Sequence, residues 1–195
     1  MSPLVIAAPM SVEAAIVASA ARGVRVRKTG MGPQRALAAA GGLAREAPGA
    51  LLVLGFCGGL DAESVPGEVI VAEEVYAVED EGHPAARVRC ECSAELLGRV
   101  AGRGLKVRSG KIVCVSRLAL GERRTALAAG GAIAVDMESV WLAPASGERP
   151  FGVVRVVLDS PGHELLRPQA AAGAVRAARA LRRVAGALHD WAPGG

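Results

Sequence analysis

Carboxylates stand where two apolar runs stop. Ala132 to Val135 leads into Asp136-Met137-Glu138-Ser139, and Phe151 to Leu158 leads into Asp159, with Arg155 inside the second run. Each run reads as a buried β-strand. In an open α/β sheet, ligands bind beyond the carboxyl ends of the strands. Acids delivered there suit a reaction in which positive charge develops on the substrate. A third acid, Glu13, closes the segment Ala8-Pro9-Met10-Ser11-Val12-Glu13, where a first strand would turn into a first helix. Each acid also has a plainer use. A strand-end aspartate commonly caps a turn, and a glutamate in a first helical turn complements the helix dipole. Arg155 reads as an internal charge partner for one of these carboxylates rather than as a substrate contact.

Strand and helix patterns alternate along the chain to hold these residues. Leu4 to Ala8 is a short apolar strand, and Ser11 to Ala21 has helical propensity, with Ser11 as cap. Val24 to Lys28 alternates apolar and basic residues as a half-buried strand does. Thr29 to Pro33 is a loop, and Pro33 suits the first position of a helix running to about Glu46. Ala50 to Leu54 is a fully apolar strand that ends in the loop Gly55-Phe56-Cys57-Gly58-Gly59. Strands follow at Glu68 to Glu79, Ala86 to Glu91 and Val107 to Ser116, and helices at Ser93 to Gly102 and Glu122 to Ala129. Ala132 to Val135, a helix from about Met137, Phe151 to Leu158 and a helix from Pro168 to Trp191 complete the series. This alternation predicts one α/β domain over residues 1–195, with a central, mostly parallel mixed sheet flanked by helices.

Two glycine segments invite a phosphate or cofactor reading. Gly30-x-Gly32 follows a strand and precedes a helix, but the third glycine of a dinucleotide fingerprint is Arg35 here, and the strand is the second, not the first. Tight turns with positive φ account for it more simply. Gly55 to Gly59 is the better candidate for a loop whose backbone amides approach a substrate.

Composition narrows the partners. Aromatic residues are 3% of the chain, leaving few platforms for stacked bases, so nucleic-acid binding is disfavoured despite a net charge of +4. The one dense basic group, Arg176, Arg179, Arg182 and Arg183, has helical spacing and reads as a solvated face, with peripheral contact to an acidic partner or anionic membrane left open. Cys57 and Cys114 sit in apolar runs, and Cys90-x-Cys92 lacks a second ligand pair, so no metal site is expected. Reduced thiols and a cytoplasmic setting fit this usage. The apolar stretch from Leu4 to Ala21 lacks a basic leader and is broken by Pro9 and Glu13, which argues against a signal peptide or a membrane span.

At these residues the chain resembles the nucleoside phosphorylase and nucleosidase superfamily, whose members cleave N-glycosidic bonds. Six segments match in order: Ala8 to Glu13, Thr29 to Gly32, Gly55 to Gly59, Pro66 to Val71, Val135 to Ser139 and Arg155 to Asp159. The resemblance implies a small-molecule purine nucleoside as substrate, no cofactor, and self-association. It implies that Asp159 delivers a proton to purine N7 and that Glu138 binds the ribose hydroxyls beside the developing cation. Met137 would pack on the sugar, and Glu13 would take a proton from the attacking water. Phe56, Cys57, Gly58 and Leu118 would contact the substrate.

Departures from the family pattern matter. Phosphorylases often hold an arginine two positions before the glycine loop; that position is Val53, which favours hydrolysis while leaving phosphorolysis open. Phe56 replaces a small hydroxyl residue, Leu158 replaces a serine, and Ser116 to Leu120 offers aliphatics where an aromatic would face the base. Together the glycine and acid segments resemble most the hopanoid-associated phosphorylases, implying release of adenine from a nucleoside with an apolar 5′ group such as adenosylhopane. Hydrolysis of methylthioadenosine, S-adenosylhomocysteine or futalosine is the alternative within enzymes. A noncatalytic nucleoside-binding protein is the alternative outside them.

Overall fold

The computed structural model describes residues 4–46, 49–78, 85–162 and 170–191. Among the described residues, eight strands and six α-helices follow the alternation expected: β1 (Leu4–Ala8), α1 (Ser11–Ala20), β2 (Arg25–Lys28), α2 (Pro33–Glu46), β3 (Ala50–Gly59), β4 (Val69–Ala77), β5 (Ala86–Arg89) and α3 (Ser93–Ala101). Then come β6 (Val107–Cys114), α4 (Gly121–Ala129), β7 (Ala132–Asp136), α5 (Ser139–Leu142), β8 (Phe151–Asp159) and α6 (Ala170–Leu188).

All eight strands form one mixed sheet, with parallel pairing between β1 and β2, β1 and β3, β3 and β8, β4 and β6, and β6 and β7. Three pairings are antiparallel: β3 with β7, β4 with β5 and β4 with β8. Because β8 pairs with both β3 and β4, and β7 returns to the end of β3 at Gly58 and Gly59, the pairings β3–β8–β4–β6–β7 close on themselves. Strands β1 and β2 extend from this ring on one side and β5 on the other, so β2 and β5 are the edges.

Side-chain parity divides the core into two layers. Val5, Ala7, Leu51, Val53, Val153 and Val157 face α2 and α5, packing with Ala36, Leu43, Val140 and Leu142. Leu4, Ile6, Leu52, Leu54, Val154 and Val156 face α1, α3 and α6, packing with Val17, Leu96, Leu181 and Trp191. The central strands read as unbroken apolar runs because both of their faces are covered. Arg155 and Asp159 share the parity of Val153 and Val157, so both belong to the layer that holds α5. On α6, Arg176, Arg179, Arg182 and Arg183 are solvent-exposed, opposite the buried Ala177, Leu181 and Val184. Among the described residues, no helix is long and apolar enough to cross a membrane.

Several expectations need correction. The segment Gly55 to Gly59 is the second half of β3, not a loop. Glycine is needed there because of neighbours. A Cβ on Gly55 would lie 2.6 Å from Glu13 Oε1, and one on Gly59 2.4 Å from Ser64 Cβ. Ser11 does not cap α1; Met10 occupies the cap position without a side-chain bond, and the Glu13 carboxylate accepts the Met10 N–H from inside the helix. The helix expected from Met137 is only the four residues of α5, which run into a 3₁₀ turn at Ala143–Ser146 containing Pro144. Residue 79, at the end of the expected fourth strand, and residues 168 and 169, at the start of the expected last helix, lie outside the described residues.

Candidate active site

Four strand ends and one helix start meet at a cavity of about 190 Å³. Pro9, Met10 and Glu13 reach it from the end of β1 and the first turn of α1; Phe56, Cys57 and Gly58 reach it from β3. Asp136, Met137 and Glu138 come from the end of β7, and Leu158 and Asp159 from the end of β8. Met31 and Leu118, 51% and 60% exposed, form an apolar rim. All eight residues predicted to act on a substrate, Glu13, Phe56, Cys57, Gly58, Leu118, Met137, Glu138 and Asp159, line this cavity.

Glu13 is held by backbone. Its Oε2 accepts the Met10 N–H at 2.6 Å and its Oε1 accepts the Phe56 N–H at 2.6 Å. The amide expected to approach a substrate is thus spent on fixing Glu13. Each carboxylate oxygen keeps a further lone pair. Burial raises the Glu13 pKa above its ordinary value, against the pull of Arg155 and the two N–H bonds.

Glu138 is held from two sides. The Gly32 N–H donates to its Oε1 at 2.9 Å, and Arg155 Nη2 lies 3.3 Å from its Oε2. Gly32 has φ +92°, which orients that amide and accounts for the glycine. Burial pushes the Glu138 carboxyl up to about 7, with Arg155 opposing and Asp136 reinforcing the rise.

Arg155 is the charge partner that the sequence suggested. It is fully buried, with Nη2 2.6 Å from Asp136 Oδ2 and donating to Ser139 Oγ at 3.0 Å. Burial works against its charge, but Asp136, Glu138 and Glu13 outweigh that and hold the guanidinium protonated. Asp136 was not singled out as a site residue. Its Oδ1 accepts the N–H groups of Glu138 and Ser139 at 3.3 and 3.4 Å, and Ser139 Oγ donates to its Oδ2. Asp136 therefore shapes the turn that presents Glu138. The signal for it was the spacing Asp-x-Glu at a strand end, where one acid can serve the backbone and the other the cavity.

Three further residues escaped sequence reasoning. Met10 and Met31 add thioethers to the cavity wall. Arg124, on α4, places Nη2 2.8 Å from Asp159 Oδ2 across 35 residues of sequence, and no local pattern marks it. Val53 is fully buried in the core and presents nothing to the cavity, while Arg35 is exposed and donates to the Met31 carbonyl at 3.5 Å. Among the described residues, no group of His, Cys, Asp or Glu is arranged to hold a metal ion, and all four cysteines are free thiols. Burial pushes the Cys57 thiol far above its ordinary value, so at the cavity wall it acts as a small apolar group.

Residues 10–186 match the family profile described as the phosphorylase superfamily. The chain belongs to the phosphorylase superfamily. Solved structures share the superfamily fold. A 5′-methylthioadenosine/S-adenosylhomocysteine nucleosidase from Campylobacter jejuni superposes with a TM-score of 0.80 at 16% identity, covering 98% of this chain and 100% of that one. The corresponding nucleosidase from Helicobacter pylori, solved with butyl-thio-DADMe-Immucillin-A, gives 0.78 at 14% identity over 96% of each chain. The futalosine hydrolase of Helicobacter pylori strain 26695 gives 0.76 at 16% identity over 95% of this chain and 94% of that one. At these identities the likeness is one of fold. No curated protein matches the sequence.

Proposed function

We propose that this superfamily member hydrolyses the N-glycosidic bond of a purine nucleoside, of the adenine type, that carries an apolar 5′ substituent. The convergence of Glu13, Glu138 and Asp159 on one cavity at the carboxyl ends of β1, β7 and β8 carries this reading. In the reaction, a proton passes from Asp159 to purine N7 and the C1′–N9 electron pair leaves with the base. A water oxygen bonds to C1′ as Glu13 takes its proton. Glu138 accepts hydrogen bonds from the ribose hydroxyls and places negative charge beside the ribosyl cation, where it counts most in the transition state. Burial raises the Glu13 pKa, which makes its carboxylate a stronger base toward the attacking water. Exchange with solvent then resets both acids.

The cavity supports the choice of 5′ group. A long substituent would extend past the exposed apolar side chains of Met31 and Leu118 at the rim of this small cavity. Adenosylhopane is a substrate of this shape.

Base release from adenosine derivatives of graded 5′ chain length, assayed with and without phosphate, tests the proposal. Phosphate-independent activity is expected, because buried Val53 stands where a phosphate-gripping arginine would. Each buried CH₂ is worth roughly 0.8 kcal/mol, so two added methylenes should raise kcat/KM about tenfold. Strict phosphate dependence would establish phosphorolysis. A flat response to chain length, with methylthioadenosine or futalosine preferred, would remove the apolar-tail assignment. Nucleoside binding without any free base would mark a noncatalytic binder.

The pH profile is a separate expectation. Burial pushes the Glu138 carboxyl up to about 7, and only its carboxylate can accept two hydroxyl protons and oppose a cation. On the acid side, log kcat/KM should therefore rise with pH up to about 7, and Glu138→Gln should remove most of the activity and the part of that limb not carried by the ionisation of Glu13. A wild-type profile flat from pH 5 to 8 would contradict the role.

A further inference from the structure

Asp159 has a companion that the reaction above does not use. Arg124 and Asp159 form an ion pair at 2.8 Å, and each side chain is only 7% exposed. Asp159 lines the cavity and Arg124 does not, so the guanidinium meets the carboxylate from outside the substrate space. The contact is tight. A Cβ on Gly58 would come within 2.9 Å of Arg124 Nη2 and 3.3 Å of Asp159 Oδ1. Arg124 Nε is also buried with no hydrogen-bond partner among the described residues. A guanidinium held this way loses its hydration and leaves a donor unsatisfied. Packing alone would favour an apolar residue on that face of α4.

We infer that Arg124 is the positioning residue for Asp159, an inference that rests on the reaction proposed above. It ties down Oδ2 and leaves Oδ1 for the purine. When the proton passes to N7 as the C1′–N9 bond breaks, negative charge is left on a buried carboxylate. Asp159 enters this step protonated, so the ion pair at 2.8 Å re-forms as the proton leaves, and the fixed cation stabilises the transition state relative to the protonated acid. Arg124 therefore assists departure of the base and has no part in ribose binding or water attack.

The test compares two leaving groups in the wild type and in Arg124→Ala, Arg124→Gln and Arg124→Lys. One substrate is the best nucleoside from the base-release panel; the other is p-nitrophenyl β-D-riboside, whose leaving group needs no proton. Arg124→Ala should lower kcat on the nucleoside by about 10²-fold, the scale of general acid assistance, while changing nitrophenol release by less than about threefold. Millimolar guanidinium should restore part of the nucleoside activity of Arg124→Ala, and Lys should retain more than Gln. Equal losses on both substrates, with no rescue, would show that Arg124 only packs. If the wild type does not accept the nitrophenyl riboside, guanidinium rescue of base release alone decides. A wild type that releases base from no nucleoside overturns the underlying reaction instead, which separates the two failures.

Discussion

Asp159→Asn should lower kcat for base release by at least about 10²-fold while the chain still folds. Asn keeps the shape of the side chain, and its carbonyl can still accept from Arg124, so the change removes the transferable proton and little else. Arg124 then faces a neutral amide in a buried place, and some stability is lost with the charge pair. The comparison is therefore made at a temperature where circular dichroism shows the variant fully folded. Retention of more than about a tenth of the wild-type kcat would falsify the assignment of Asp159 as the acid.

Arg155→Leu should damage the fold itself. Leucine fills similar apolar volume, but Asp136, Glu138 and Ser139 all lose their shared partner in a fully buried location. Removing one member of such a network typically costs about 3–5 kcal/mol. For a chain of this size each kcal/mol moves Tm by roughly 2–4 °C, so a fall of about 6–20 °C is expected in a thermal melt. Arg155→Lys should recover only part of it, because an ammonium cannot reproduce the planar fork that reaches Asp136, Glu138 and Ser139 together. A melt within about 2 °C of wild type for the leucine variant would mean that the carboxylates find other partners or stay protonated without cost.

Residues near in sequence were read more faithfully than residues near in space. β1 and α2 occupy the bounds expected from Leu4 to Ala8 and Pro33 to Glu46, because an apolar run and a helix-starting proline are local signals. Glu138 and Asp159 drew attention because strand-end acids stand out against apolar runs, and Glu13 through the resemblance of Ala8 to Glu13 to a family segment; all three line the cavity. The glycine run of β3 was misread because glycine there answers to side chains from elsewhere: Glu13 against Gly55, Arg124 against Gly58 and Ser64 against Gly59. Arg124 itself was not singled out in the sequence. Its burial depends on the return of β7 to β3, which brings α4 over the end of β8, and no periodicity within α4 encodes that. Asp136 was passed over for the opposite reason, since its neighbour Glu138 offered a sufficient account of the same motif.

The two open margins of the sheet carry the same sign. β2 reads Arg25-Val26-Arg27-Lys28 and β5 reads Ala86-Arg87-Val88-Arg89. Glu46 answers Arg25 and Arg27, and Glu74 answers Arg87, but each acid comes from within the molecule and lends nothing to an incoming strand. A second chain offering either margin would set arginine against arginine along the new ladder, and like charges directly opposite destabilise a strand pair. Growth by strand addition is thus opposed at both ends of the sheet, which guards a strand-rich molecule against ribbon-like aggregation and leaves helical and loop surfaces as the ground on which copies can meet.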